Sequence, residues 1–260
     1  MNAVQRFAWI TAIVGVLIFM LLPVMVVVGI SVGASATYDF PPRELSLRWF
    51  ANLLHTPIFS DALLKVSLPL GIAVALCSTV LGLAAALGIA HLPEAAGRRL
   101  SLLLASPLVF PQVLLGVALF LLYARAGMPL TMFSLGLGHV LIATPYVIRS
   151  VSAALGGLDS RLEEAAQSLG ASPTQALFRV TLPLLKSGIL SGAVFAFIVS
   201  FSDINLAIFL STAGNTTLPM QVLAQMQFVS DPTIAAAATV QILVVAALVM
   251  VVQFLLRRRS

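Results

Sequence analysis

Six stretches of the chain stay apolar for longer than a soluble core requires, at about 7–32, 64–90, 100–123, 130–148, 184–210 and 234–256. Each lies near or above the roughly 20 residues that cross a bilayer core of about 30 Å. Lipid offers no partner for an open backbone amide, so each is expected to be a helix. The pattern predicts an all-α, polytopic membrane protein with six transmembrane helices, forming one transmembrane domain over 1–260. Between the spans lie connectors rich in proline, glycine and charge. Those at 38–61 and 211–231 fall on one side, and the longer one at 149–183 falls on the other.

The first apolar stretch raises a separate question. Arg6 precedes it and Ala34-Ser35-Ala36 resembles a cleavage site, as in a secretory leader. The stretch from Phe7 to Val32 exceeds the 7–15 residues of a usual leader core, so it is expected to stay as a span. Several spans also carry helix breakers or small residues. Pro69, Pro107, Pro111 and Pro145 each remove an intrahelical hydrogen bond. Gly29 with Gly33, and Gly188 with Gly192, are pairs that allow close helix approach.

Composition agrees with the pattern. Hydrophobic residues make up 60% of the chain and charged residues 9%, with a mean hydropathy of +1.08. Soluble domains carry about 25% charged residues, so this exterior is suited to membrane lipid. The net charge of +5 and pI near 10.1 arise from basic residues scattered between spans. They form no patch, which argues for topology and against nucleic-acid binding.

Orientation follows from where those residues fall. With the N-terminus in the cytoplasm, that side holds Arg6, Arg98, Arg99, Arg149, Arg161, Arg179, Lys186 and Arg257–Arg259, ten of the fourteen. The other side holds four: Arg43, Arg48, Lys65 and Arg125. The positive-inside rule therefore puts both termini and the long 149–183 connector in the cytoplasm. Arg257–Arg259 reads as an anchor at anionic headgroups. Cys77, the one cysteine, is expected to be a small core residue.

The 149–183 connector carries the most information. Asp159 or Ser160 can cap a short helix, with Glu163 in its first turn favouring the positive end of the helix dipole. Gly170 is placed to end that helix in a left-handed conformation. Ser172-Pro173 can start a second helix running through Phe178 and Arg179 to Leu182-Pro183. Ala165, Ala166 and Leu169 then form a compact face that can seat in a partner's groove, with the two glutamates at its rim.

The same residues resemble the cytoplasmic loop of binding-protein-dependent ABC importer permeases, whose pattern is E-A-A, three residues, G, nine residues, I-x-L-P. Here stand Glu164-Ala165-Ala166, Gly170 and Val180-Thr181-Leu182-Pro183, with valine in place of isoleucine. Ser67-Leu68-Pro69, Ser106 to Pro111, and Asp39-Phe40-Pro41-Pro42 before Ser46 to Phe50 are similar to the second permease subunit of spermidine/putrescine importers. The resemblance implies a type I ABC importer permease fold in the bacterial inner membrane, its coupling loop at 158–183. It implies a non-catalytic transport subunit that moves a small solute, a polyamine first and an amino compound or organophosphonate otherwise. The implied partners are two copies of an ATPase, which holds ATP and Mg, a second homologous permease, and a periplasmic or lipid-anchored solute-binding protein. The residues carried over to the coupling role are Glu163, Glu164, Ala165, Ala166, Gly170, Leu182 and Pro183.

Asp203 is the acid inside a predicted span, flanked by Ser202 and Asn205. Ionisable groups at that depth face a cavity or a partner. Two readings stand: contact with a cationic solute, helped by Ser202 and Asn205, or pairing with Arg or Lys of a neighbouring helix or subunit. Phe195, Phe197 and Phe201 read as packing, with a gate as the second option. His55, His91 and His139 have no metal-ligand spacing, so no metal site is expected. No phosphate-binding G-x-x-x-x-G-K-[ST] occurs, so this chain is expected to bind no cofactor and to borrow its ATP dependence. A secondary transporter would show internal repeats and several buried charges, and no clear repeat is legible. An intramembrane enzyme would need a paired constellation, and nothing in the sequence sets a nucleophile beside His139.

Overall fold

A computed structural model of the chain describes residues 2–159, 161–228 and 230–257. Among them every regular element is helical. The principal helices are α1 (Ala3–Ser31), α2 (Arg48–His55), α3 (Leu68–Ala90), α4 (Glu94–Leu104), α5 (Gln112–Arg125), α6 (Met132–Gly156), α7 (Arg161–Ser168), α8 (Lys186–Phe201), α9 (Leu218–Met226) and α10 (Thr233–Arg257). Arg258 and Arg259 of the expected anchor lie outside the described residues, as does the alternative cap Ser160.

Four of these helical stretches are long and apolar enough to cross a membrane: Gln5–Ser31, Pro57–Ala90, Met132–Gly156 and Thr233–Arg257. The remaining two expected spans are interrupted. The stretch at 100–123 ends α4 at Leu104, makes a tight turn over Ser106–Leu108, and restarts at Gln112. Pro107 and Pro111 explain the break, since neither can donate to the helical ladder. The stretch at 184–210 bends by 67° between Pro173–Leu184 and Lys186–Phe201, so with that pair counted as one span there are five. It breaks again after Phe201, before a short helix at Ala207–Leu210.

The chain groups into two compact units, Met1–Asp61 with Gln221–Val244, and Ala62–Met220 with Val245–Ser260. In the first unit α1 presents apolar side chains outward along most of its length, from Phe7 (73% exposed) to Met25. Its end is clasped by the following loop: a Cβ on Gly29 would come within 2.7 Å of Phe40, and one on Gly33 within 3.3 Å of Pro42. That glycine pair therefore admits a loop, where the sequence suggested a second helix. Trp49 Nε1 donates to the Gly33 carbonyl at 2.9 Å, and Asn52 Nδ2 donates to Thr233 Oγ1 at 2.8 Å.

In the second unit α3, α6 and α8 pack together around Leu70, Val74, Leu135, Ile142, Val147 and Val151. Here the small residues do mediate helix contact. A Cβ on Gly82 would lie 2.6 Å from Val147, and one on Gly188 would lie 2.6 Å from Ala154. Ser150 Oγ donates to the Gly188 carbonyl at 2.9 Å, which ties α6 to α8. Phe197 and Phe201 are buried and stack at 5.1 Å, while Phe195 is exposed. Cys77 is exposed on α3, contrary to the expected core position, because it lies beside the buried stripe that runs through Gly71, Val74, Ser78 and Gly82.

Candidate functional site

The second unit holds two arrangements with functional character. The first is the 158–183 loop. Asp159 Oδ1 accepts from the Arg161 amide at 3.0 Å, satisfying one of the open amides at the start of α7. At the other end Gly170 has φ +92°, the left-handed conformation that disfavours any residue with a Cβ. The Ala171 amide reaches the Ala166 carbonyl at 3.1 Å and the Gly170 amide reaches Gln167 at 2.9 Å, the paired closure of a Schellman end. The loop then restarts at Ser172, whose Oγ accepts from the Gln175 amide while Gln175 Oε1 accepts from the Ser172 amide.

The second helix of the loop is less regular than expected. It is α-helical over Pro173–Ala176, widens to a π turn over Leu177–Thr181, and narrows again over Leu182–Leu184. Pro183 accounts for this: it lacks an amide hydrogen, and its ring crowds the carbonyl four residues earlier, so the ladder ahead of it shifts register. One contact joins the two halves. Thr181 Oγ1 donates to Glu163 Oε2 at 2.9 Å. Glu163 is thus half-buried and held inside the loop. Glu164 and Ala165 are exposed, and Ala166 is half-buried. Leu169 is 90% exposed and Phe178 63% exposed, so the loop offers apolar side chains outward. Leu182 is half-buried and Pro183 exposed. Beneath the loop lies a cleft of about 910 Å³ lined by the ends of α3 and α6, with Asp159, Glu163 and Glu164 on its loop side.

The second arrangement is the break in the fifth span. After Phe201 the chain leaves the helix through Ser202 to Leu206. Asp203 is 5% exposed, and its Oδ2 accepts from the Leu206 and Ala207 amides at 3.0 and 3.3 Å. A carboxylate is thereby spent on the amides that the break would leave open. Its nearest ring neighbour is a histidine, where the sequence suggested Arg or Lys: His139 Nε2 lies 3.6 Å from Asp203 Oδ2. His139 Nδ1 is 2.9 Å from Ser200 Oγ. Ser202 is exposed, and Asn205 Nδ2 donates to Gln112 Oε1 at 2.8 Å. Gln112 follows the break in the third span, so the two interrupted spans meet through this amide pair. Val109 and Phe110, in that first break, are 84% and 57% exposed.

The structure therefore does set a serine and an acid beside His139, which the sequence did not disclose. Serine lies at Nδ1 and the acid at Nε2, and the ring is fully buried, so no substrate can approach the hydroxyl. Among the described residues no group of three His, Cys, Asp or Glu side chains is placed to hold a metal.

A helical membrane protein with broken spans and an exposed helical hairpin is the form of a transport permease. Residues 78–260 match the family described as binding-protein-dependent transport system inner membrane component, and the chain belongs to that family. It is 35% identical to the putrescine transport system permease protein PotI of Escherichia coli (strain K12) over 75% of this chain and 71% of that protein. It is 31% identical to the molybdenum transport system permease protein ModB of Mycobacterium bovis over 94% of this chain and 91% of that one. Among solved structures, a bacterial alginate ABC transporter in complex with its pentasaccharide-bound periplasmic protein shares the fold. Its TM-score is 0.75 at 17% identity, covering 98% of this chain and 94% of that one. The chain is thus an ABC importer permease, a non-catalytic transport component of the inner membrane.

Proposed function

We propose that this chain, acting as a single transmembrane permease domain, moves a polyamine such as putrescine or spermidine through an ABC importer. The observation that carries the reading is the likeness to PotI across three quarters of the chain. Two copies of an ATPase hold ATP and Mg and seat the loop at 158–183, while a second homologous permease completes the pathway. A periplasmic or lipid-anchored protein delivers the solute, and both termini face the cytoplasm.

In this reading α7 is the coupling helix. Glu164, Ala165 and Ala166, with the exposed Leu169, fill a groove on the ATPase. Glu163, Gly170, Leu182 and Pro183 shape the loop so that its movement reaches α8. ATP-driven closure shifts a two-state equilibrium by the difference in loop contacts between the states. The solute passes the junction of the two broken spans, where Ser202 and Asn205 offer polar groups. Asp203 lies just behind them, and its charge favours a cation at that point.

The test is uptake by the assembled importer in proteoliposomes, with putrescine, spermidine and molybdate as solutes. Putrescine uptake that falls at least fivefold in Asp203→Asn, with ATPase binding retained, is the expected result. Uptake of molybdate alone would overturn the polyamine reading. The ModB likeness, which spans more of the chain than the PotI likeness, supports an oxyanion as the second reading. Unchanged uptake of every solute in Asp203→Asn would remove Asp203 from the pathway.

A further inference from the structure

The break in the fifth span separates two helical lips. One ends at Ser200-Phe201, and the other begins at Leu206-Ala207, capped by Asp203. Left to itself such a break is a hinge, because no intrahelical hydrogen bond crosses it at full strength. The Asp203 amide reaches the Ser200 carbonyl only at 3.5 Å. Something must fix the register of the lips, and a single ring from the neighbouring span touches both.

We propose that His139 is the positioning residue that holds the two lips of this break in register against α6. Its ring is wholly buried, with Nδ1 2.9 Å from Ser200 Oγ on the first lip and Nε2 3.6 Å from Asp203 Oδ2 on the second. With Asp203 ionised the carboxylate only accepts, and the matching tautomer has the proton on Nε2 and Nδ1 accepting from the Ser200 hydroxyl. His139 sits on α6 between Leu135 and Ile142, both buried in the packed core of the second unit, so the ring is anchored on the rigid side.

The two contacts are unequal, and the inequality is informative. The Ser200 contact is a full hydrogen bond. The Asp203 contact is too long for one, and among the described residues the buried Nε2 has no hydrogen-bond partner. A movement of the second lip by roughly 0.6 Å would close that gap to ordinary hydrogen-bond length. The ring therefore defines two positions of the lip, one with Nε2 unpaired and one with it bonded to Asp203. Ser202, between the lips, is carried with that movement.

The inference builds on the pathway reading only in giving the break a purpose, and its test needs no solute. In the full chain in membranes, with Cys77→Ser, a Ser202→Cys reporter is labelled by a membrane-impermeant maleimide. His139→Leu, which loses both contacts, is expected to change the labelling rate at least tenfold. His139→Asn reaches only the Ser200 side and His139→Gln only the Asp203 side, so each is expected to give a smaller change of about threefold. Asp203→Asn added to His139→Asn should change the rate no further than either alone. Rates within twofold of one another in all three His139 variants, with only the thermal midpoint lowered, would overturn the proposal and leave His139 a packing residue. Loss of uptake specificity at Ser202 or Asn205 would bear on the pathway reading instead, so the two can fail separately.

Discussion

The two places where the chain turns from an interfacial segment into a long span are built from nearly the same sequence. Asp61-Ala62-Leu63-Leu64-Lys65-Val66-Ser67-Leu68-Pro69-Leu70 leads into α3, and Gln175-Ala176-Leu177-Phe178-Arg179-Val180-Thr181-Leu182-Pro183-Leu184 leads into α8. Alanine, the first leucine, valine and Leu-Pro-Leu coincide, six of ten positions, and Lys–Arg and Ser–Thr are close replacements. Both make a π turn ahead of the proline, over Ala62–Ser67 and over Leu177–Thr181. Both use the hydroxyl to hold a distant segment: Ser67 Oγ accepts from the Leu218 amide at 2.7 Å, and Thr181 Oγ1 donates to Glu163 Oε2 at 2.9 Å. This repeat is short and falls on opposite expected faces, so it does not stand out as an internal repeat along the sequence.

The difference between the mouths lies in what the hydroxyl grips. At α3 it grips a backbone amide, a fully buried and purely structural closure. At α8 it grips the half-buried Glu163 carboxylate of α7, in a loop that also presents Leu169 and Phe178 outward. The π turn is common to both; the side-chain grip on an outward-facing loop belongs to the second. Changes at the α8 mouth should therefore disturb coupling, and matching changes at the α3 mouth should disturb stability alone.

The largest effect is expected at the link between the two short helices of each mouth. At the α8 mouth that link is Gly170, at φ +92°. At the α3 mouth it is Thr56, with an extended backbone at φ −93° and ψ 108° that any residue adopts. Gly170→Val places a β-branched side chain in left-handed backbone, at about 1–2 kcal/mol or more. Uptake by the assembled importer should fall more than tenfold with membrane abundance unchanged, whereas Thr56→Val should leave uptake within twofold. Comparable losses at both would break the contrast.

How far these features could be read from the sequence depends on range. Asp159, Gly170 and Ser172-Pro173 act within a turn of themselves, and the sequence placed them because capping and left-handed glycine are local chemistry. The Glu163–Thr181 bond joins residues eighteen apart, and His139–Ser200 joins residues sixty-one apart. No periodicity reports such pairs. Hydropathy saw the third and fifth spans as continuous because averaging over a window hides a proline pair or the five-residue break at 202–206. Asp203 was legible as unusual, but its partners were not, since amides freed by a break exist only once the break does.

A smaller effect separates the two hydroxyls. Ser67→Ala strands the buried Leu218 amide and should lower unfolding stability by about 1–3 kcal/mol, read as a drop in thermal midpoint, with ATPase affinity unchanged. Thr181→Val leaves Glu163 half-exposed to water, so its cost to stability should be about 1 kcal/mol or less. Its effect should fall on ATPase affinity, weakened three- to tenfold, and Glu163→Gln should add little to it in a double-mutant cycle. Equal loss of ATPase affinity in Ser67→Ala would show that the two mouths are not divided in this way.

The smallest effect is expected when the hydroxyls are exchanged in kind. Thr181→Ser keeps the donor to Glu163 and removes one methyl group from a site that is 8% exposed. The lost burial is about one methylene equivalent, ~0.8 kcal/mol, and the turn ahead of Pro183 gains a little freedom because serine is not β-branched. Uptake and ATPase affinity should both stay within twofold of the parent. If the methyl group mattered more than the hydroxyl, Thr181→Ser would lose more than Thr181→Val, since valine keeps the branched shape. That order would reassign the α8 mouth from a hydrogen-bonded handle to a packed one, and the likeness of the two mouths would then rest on shape rather than on the hydroxyl.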